Sequence, residues 1–128
     1  MKREKSLKFL IKNLAPKLNE GDYVFVSVKD LNTITTTDVI FFFKEPEGIT
    51  LVLEQSKADF LGFEYDFITS WITLMVHSSL EAIGLTAIFS KALAKHDISC
   101  NVVAGYYHDH IFVDKNDAEE AMEVLKSL

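Results

Sequence analysis

Three observations predict that this 128-residue chain is an α+β protein made of two fused copies of one small unit. Between Trp71 and Val113 the period of the apolar residues changes from two to 3.6 and back, ordering the stretch as strand, helix, strand, strand. Val24, Val26 and Val28 before Lys29-Asp30-Leu31 match Ile72, Leu74 and Val76 before His77-Ser78-Ser79-Leu80, and the run from Ile49 to Leu61 matches that from Ile111 to Leu125. Each half therefore reads strand, connection, hairpin, helix. At 48% hydrophobic residues the chain buries about two-thirds of its unfolded surface, enough for one core or two small fused ones. A sheet with helices on one face satisfies all three. This is a ferredoxin-like βαββαβ arrangement, degenerate in the first copy, which lacks a long helix after its first strand.

The elements follow in order. Leu7, Leu10, Ile11 and Leu14 stand at helical spacing, with Lys5, Lys8 and Lys12 on the other face, and Pro16 ends this helix. Gly21 opens a strand from Asp22 to Val28 that is apolar on alternate positions of both faces. Residues 29–38, polar and rich in threonine, form a connection with at most a turn of helix. Strands from Val39 to Lys44 and from Ile49 to Leu53 flank the turn Pro46-Glu47-Gly48, a hairpin. Ser56 is placed to cap a short helix, Lys57 to Leu61, which Gly62 ends.

The second copy, residues 69–128 after a first unit of residues 1–68, opens with a strand ending in Ile72, Leu74 and Val76. After Gly84, Leu85, Ile88, Phe89, Ala92 and Leu93 give the single apolar stripe of a helix that ends near His96-Asp97. Strands from Ile98 to Ala104 and from Tyr107 to Val113 form a hairpin about Gly105, and the crossover helix links strands able to pair in parallel. Asn116 and Glu119 have capping-box spacing before a last helix with Ala118, Ala121, Met122 and Leu125 on its buried stripe.

Composition excludes several classes. No run of about 18 apolar residues exists and the charged start MKREKSLKFLIKNL has no small-residue cleavage site, which points to a cytoplasmic protein without a membrane partner. A net charge of −6 repels phosphate backbones, so nucleic acid is not an expected partner. The single Cys100 cannot form an internal disulfide and reads as an inert thiol. No phosphate loop, G-x-S-x-G elbow, H-E-x-x-H helix or C-x-x-C pair is present, so no catalytic residue and no cofactor are assigned.

Four histidines raise the question of a metal. His108 and His110, two apart on a strand, share a face at roughly 7 Å, with His77 and Asp109 as further candidates. A structural zinc site takes four ligands, and a His-x-His at a hairpin is more often bonded to turn backbone; no metal is assigned. Tyr106 and Tyr107 beside them suit a pocket wall or an oligomer contact.

The wording VHSSLEAIGLTA followed by ISCNVVAGYYHDHIFV resembles the ACT domain, a small regulatory module that binds amino acids beside metabolic enzymes, and most closely its stand-alone tandem form. The resemblance is closest over residues 69–125 and weaker over residues 1–68. ACT loops often carry an acidic residue and a proline just before the glycine, whereas Glu81-Ala82-Ile83 precede Gly84 here.

The resemblance implies a ligand at the loop joining the first strand to its helix. A strand feeding a helix N-terminus presents unpaired N–H groups and a positive dipole end, which suit a carboxylate. Ser78, Ser79, Leu80, Glu81, Gly84, Leu85 and Thr86 form the expected set, with Asn101 and Val102 on the neighbouring strand. Ser78 and Ser79 offer hydroxyls, Glu81 a carboxylate for an ammonium group, Gly84 a close approach to backbone, and Asn101 both a donor and an acceptor. That combination suits an amino acid or similar zwitterion. The plainer alternative makes Ser78 and Glu81 a capping box, Gly84 a turn residue and Asn101 a backbone partner.

Two function classes remain on these grounds. One is a non-catalytic regulatory module that binds a small molecule and signals through an unidentified protein partner or its own assembly. The other is a small ferredoxin-like enzyme using His77, His108 or Glu81 as acid or base. Apolar strand edges at Val39–Phe43 and Ile98–Val103 need covering, and a homodimer is the expected solution.

Overall fold

The computed structural model describes residues 6–128, so Lys5 lies outside the described residues. Packing divides the chain into one unit of residues 21–69 and another that joins the residues up to Glu20 to residues 70–128. The sequence groups the first helix with the first copy; in the structure its apolar face belongs to the core of the second. The reason is side-chain burial: Leu10 and Leu14 are enclosed among Ile72, Phe89, Leu93 and Val124.

In the unit of residues 21–69, β2 (Tyr23–Val28), β3 (Phe41–Glu45) and β4 (Gly48–Glu54) form an antiparallel sheet in the order β3-β4-β2. Ile68 and Thr69, which open β5 (Ile68–Leu74), pair with Val24 and Tyr23 on the far side of β2. The registers Val24↔Leu53 and Val26↔Leu51 place these four side chains together with Ala58 of α2 (Gln55–Phe60) in one core. The missing helix is replaced by the threonine-rich connection, which holds one 3₁₀ turn at Thr36–Asp38 and packs Leu31, Ile34 and Val39 against that core. The expected cap by Ser56 is not formed. β4 turns directly into α2 at Glu54, and the Gln55 N–H is satisfied by the Asp22 carbonyl at 2.9 Å, leaving Ser56 inside the first turn. Gly62, at φ 75°, follows the helix as expected.

The other unit contains α1 (Leu7–Lys12), β1 (Pro16–Leu18), most of β5, α3 (Leu85–Ala94), β6 (Asn101–Ala104), β7 (Asp109–Asp114) and α4 (Ala118–Lys126). Its strands lie in the order β1-β5-β7-β6. β5 and β6, joined by the crossover helix α3, therefore do not pair in parallel. β7 lies between them, because the tight hairpin at Gly105 returns the chain antiparallel to β6 and inserts it beside β5. Pro16 does more than end α1, since it opens β1, which pairs antiparallel with β5 in the register Pro16↔Leu74 to Leu18↔Ile72.

The apolar stripes behave as the 3.6 period requires. Leu85, Phe89 and Leu93 of α3 are buried, as are Ala118, Ala121, Val124 and Leu125 of α4, and Met122 packs partly against the same core. Asn116 is not a cap. The chain enters α4 through a 3₁₀ turn at Lys115–Asp117 that Asp114 caps, the Asn116 N–H donating to Asp114 Oδ1 at 2.8 Å.

Removing the side chain of Leu10, which is completely buried, leaves a cavity in a core that α1 only borders in sequence. Leu10→Ala is expected to destabilise this unit by about 2 to 5 kcal/mol, against less than about 0.5 kcal/mol for the exposed Phe9→Ala. Urea unfolding followed by the fluorescence of Trp71, the single tryptophan, measures both. Equal small effects would show that α1 is not part of the core.

Candidate functional site

The connection from β5 to α3 is held by short-range bonds. Ser79 forms a local turn, its Oγ accepting from the Glu81 N–H at 3.1 Å and its carbonyl from the Ala82 N–H at 3.0 Å. Ser78 is buried, and its hydroxyl donates to the Ser79 carbonyl at 3.3 Å. The Glu81 N–H thus goes to Ser79 and not, as a capping box would require, to Ser78. The residue before α3 is Gly84, in the left-handed region at φ 96°, which a side chain would strain; it caps α3 with no side-chain hydrogen bond. A Cβ on Gly84 would also come within 3.1 Å of Leu7 Cδ2. A β-branched residue there would disturb the seat of α1 as well as the loop.

Opposite this loop lies the mouth of the β6–β7 hairpin. The Gly105 N–H donates to the His108 carbonyl at 2.9 Å, and a Cβ on Gly105 would stand 2.9 Å from that same oxygen, so the turn closes only around glycine. The two sides are tied together: the Ser78 N–H donates to the Tyr107 carbonyl at 3.3 Å, and His108 Nδ1 lies 3.2 Å from the Val76 carbonyl. A carbonyl only accepts, so His108 carries its proton on Nδ1.

Between loop, hairpin and α3 is a pocket of about 90 Å³ lined by Ser78, Ser79, Leu80, Ala82, Leu85, Thr86, Ala104, Gly105 and Asp109. Five of the nine residues expected from the sequence, Ser78, Ser79, Leu80, Leu85 and Thr86, are thus brought together around one space. Glu81 is exposed beside it, and Gly84 shapes the entry to α3 without lining it. Asn101 and Val102 do not join them. Asn101 lies opposite Phe112, at the other end of β6 from Ala104, and its Nδ2 donates to the Phe112 carbonyl at 3.2 Å, while Val102 packs on the core. Sequence reasoning did not place Ala104, Gly105 or Asp109 in the site. The register Ala104↔Asp109, which a hairpin about Gly105 would have allowed, is the signal that puts them at its mouth.

The pocket is polar in its chemistry. An uncapped helix N-terminus and the hydroxyls of Ser79 and Thr86 offer hydrogen-bond donors on one side. On the other stands the Asp109 carboxyl, raised from its ordinary range chiefly by burial and drawn back in part by His108.

The histidines pack ring beside ring, tilted or edge-on, rather than converge on a point. His77 and His108 have ring centroids 5.0 Å apart, His108 and His110 6.5 Å, and among the described residues no three His, Cys, Asp or Glu side chains are grouped to hold a metal ion. The Trp71 indole N–H donates to His110 Nδ1 at 3.0 Å, and the Thr73 hydroxyl lies 3.1 Å from the same nitrogen. Indole nitrogen is a donor only, so His110 Nδ1 is bare and the ring is neutral. Burial first, and then His108, lower its pKa. Cys100, half-buried just before β6, has its thiol pushed up to about 11 by desolvation and is a poor nucleophile.

Two family models for the ACT domain match the chain, one over residues 2–70 and the other over residues 67–127. No curated protein matches it. Among solved structures, a Vibrio cholerae protein of unknown function, described as a possible transport protein, is 50% identical. It aligns over 96% of this chain and 95% of its own, with a TM-score of 0.85. An Agrobacterium tumefaciens protein shares the fold at 16% identity and a TM-score of 0.72, over 88% of this chain and 86% of its own. A putative C-terminal regulatory domain of aspartate kinase from Porphyromonas gingivalis does so at 14% identity and a TM-score of 0.58, over 88% of this chain and 94% of its own.

The His110 geometry sets a pH dependence. Its native pKa lies below the unfolded value near 6.5, so the stability it contributes is complete above that value and is lost as pH falls toward the native pKa. Urea midpoints read by Trp71 fluorescence at about pH 7 and about pH 5.5 are expected to fall in the wild type, and less in His110→Gln. Identical slopes in the two proteins would remove His110 as the source.

Proposed function

The chain belongs to the ACT-domain family, once in each half, and from that premise we propose that it is a regulatory module, without catalytic activity, whose ligand is a small amino acid bound in the pocket at the N-terminus of α3. Family membership supports small-molecule binding and regulation. The observation that carries the finer reading is the pairing, in one pocket, of an uncapped helix N-terminus with the carboxylate of Asp109 on the opposite wall. A zwitterion meets both charges, its carboxylate on the α3 N–H groups and the hydroxyls of Ser79 and Thr86. The volume of about 90 Å³, well below the few hundred Å³ of most ligand sites, favours a short side chain.

The acid–base reading has no such support. His77 and His108 face each other and neither lines the pocket, and His108 Nδ1 is engaged by the Val76 carbonyl. No helix among the described residues is long and apolar enough to cross a membrane. A thermal-shift screen of glycine, L-alanine, L-serine and the larger amino acids tests the proposal, since ligand at about 100 times its Kd stabilises the native state by about 2.7 kcal/mol. A shift confined to the small members is expected. No shift with any of the twenty would sink the reading.

Self-association belongs to the same proposal. β3 ends the strand order of its unit, and Phe42 and Phe43 on it are exposed, the latter at 65%. An edge of this kind favours pairing with a second copy about a two-fold axis. Light scattering at tens of micromolar is expected to give the mass of a dimer, and Phe43→Lys to shift it toward monomer. A monomeric wild type would refute this part alone.

A further inference from the structure

The carboxylate of Asp109 occupies an unusual position for an exposed-type residue. It is half-buried at the mouth of the β6–β7 hairpin and lines the pocket. Among the described residues this carboxylate makes no hydrogen bond and no ion pair, and His108 is beside it in sequence. A charge taken partly out of water without a partner costs stability, and acidic residues are seldom left so. The sign is consistent. With the native pKa above the ordinary 3.8, the stability linked to this group is complete below that figure and is lost as pH rises through the native value. At neutral pH the charged form of Asp109 is therefore held less favourably in the fold than in the open chain.

A half-buried carboxylate that lines a cavity without a protein partner is explained by what it does there. The other polar groups of the pocket, the α3 N–H groups and the hydroxyls of Ser79 and Thr86, serve an anion, and any carboxylate of the right size would satisfy them. Ser79 Oγ already accepts from the Glu81 N–H, which leaves its own proton to donate. Asp109 is the single group in the lining that a plain carboxylate cannot satisfy and that repels a second negative charge.

We infer that Asp109 is the specificity determinant of this pocket, pairing with the ligand's ammonium group and so selecting α-amino acids over the hydroxy acids, keto acids and dicarboxylates of similar size. This rests on the amino-acid reading above. The buried surroundings that make the lone carboxylate unfavourable make its pairing with an ammonium stronger than a surface pair, and binding removes the unpaired state. Selection is thus by charge on the β7 side, and affinity for the shared carboxylate comes from the α3 side.

The test uses matched probes on the full chain: L-alanine against L-lactate, and glycine against glycolate, by titration calorimetry and thermal shift. Wild type is expected to bind the amino acid at least about tenfold more tightly than its hydroxy acid. Asp109→Asn should lose about ten- to a hundredfold of its affinity for the amino acid, bind L-lactate as well as wild type or better, and show an unliganded melting point equal to or above that of wild type. Asp109→Ala should repeat the loss without introducing an amide that could donate to L-lactate. Binding by wild type with undiminished selectivity in both variants would overturn the role of Asp109 and leave the amino-acid site standing. Wild type that binds neither member of either pair would overturn the site itself. A drop in the unliganded melting point of both variants would show that Asp109 is structural.

Discussion

The pairing of Pro16–Leu18 with Ile72–Leu74 is the constraint on which the unit that holds the pocket depends. A ferredoxin-like sheet flanks its first strand on both sides, and here β7 covers one side of β5 while the strand on the other comes from upstream, before the unit's own first strand. The pairing continues past the regular strand, with the Met75 and Val76 N–H groups donating to the carbonyls of Ala15 and Leu14 at 3.0 and 3.4 Å, and Asn19 bonding to the Trp71 carbonyl. Once β1 is fixed there, α1 has no freedom to leave: Leu10 and Leu14 fall into the core, and Leu7 reaches the backbone of Gly84. The left-handed turn that aims α3 at the pocket is therefore buttressed by residues some seventy-five positions earlier in the chain.

The same dependence runs through the polar groups. Asn19 Nδ2 donates to Thr73 Oγ1 at 2.9 Å, Thr73 and Trp71 both address His110 Nδ1, and His110 follows Asp109 on β7. On the neighbouring turn, His108 and Tyr107 hold Val76 and Ser78. Each bond alone contributes on the order of 1 kcal/mol, but they share partners, so they lock the hairpin mouth to the loop as one piece. A pocket of this size needs that rigidity, because a displacement of about 1 Å is large against its width.

Much of this was legible in the residues, and what was not has physical reasons. The βαββ order, the stripe of α3 and the threonine-rich substitute for a helix follow from period alone, since each is long enough to show one. β1 has three residues, Pro16, Lys17 and Leu18, too few for any period, and proline read locally says only that a helix stops. Ser56 and Asn116 were read as caps by residue type, whereas at both places the neighbouring backbone or Asp114 had already satisfied the orphan N–H groups. Of the site, the loop residues lie within nine positions and are visible together. Asp109 and Gly105 enter from some twenty positions away, through a hairpin register, and Asn101 is near the loop only if β6 neighbours β5, a place that β7 takes. Charge type singles out Glu81 as the acidic residue of the loop; the acidic residue that lines the pocket is Asp109.

The two copies show why only one of them was read as a site. In residues 21–69 the strand β2 leads into a connection whose one 3₁₀ turn, Thr36–Asp38, ends in a residue paired with Lys57 at 3.5 Å. Its apolar residues Leu31, Ile34 and Val39 cover the sheet as a helix would, which keeps the core closed. Three residues of 3₁₀ carry little aligned dipole and few unpaired N–H groups, so covering the sheet is the only part of the helix's work the connection takes over. The other copy retains the ten-residue α3 with an uncapped start. Folding asks only that the sheet be covered, which either solution achieves; an exposed helix end is a further property, and only the half with α3 has one at this connection.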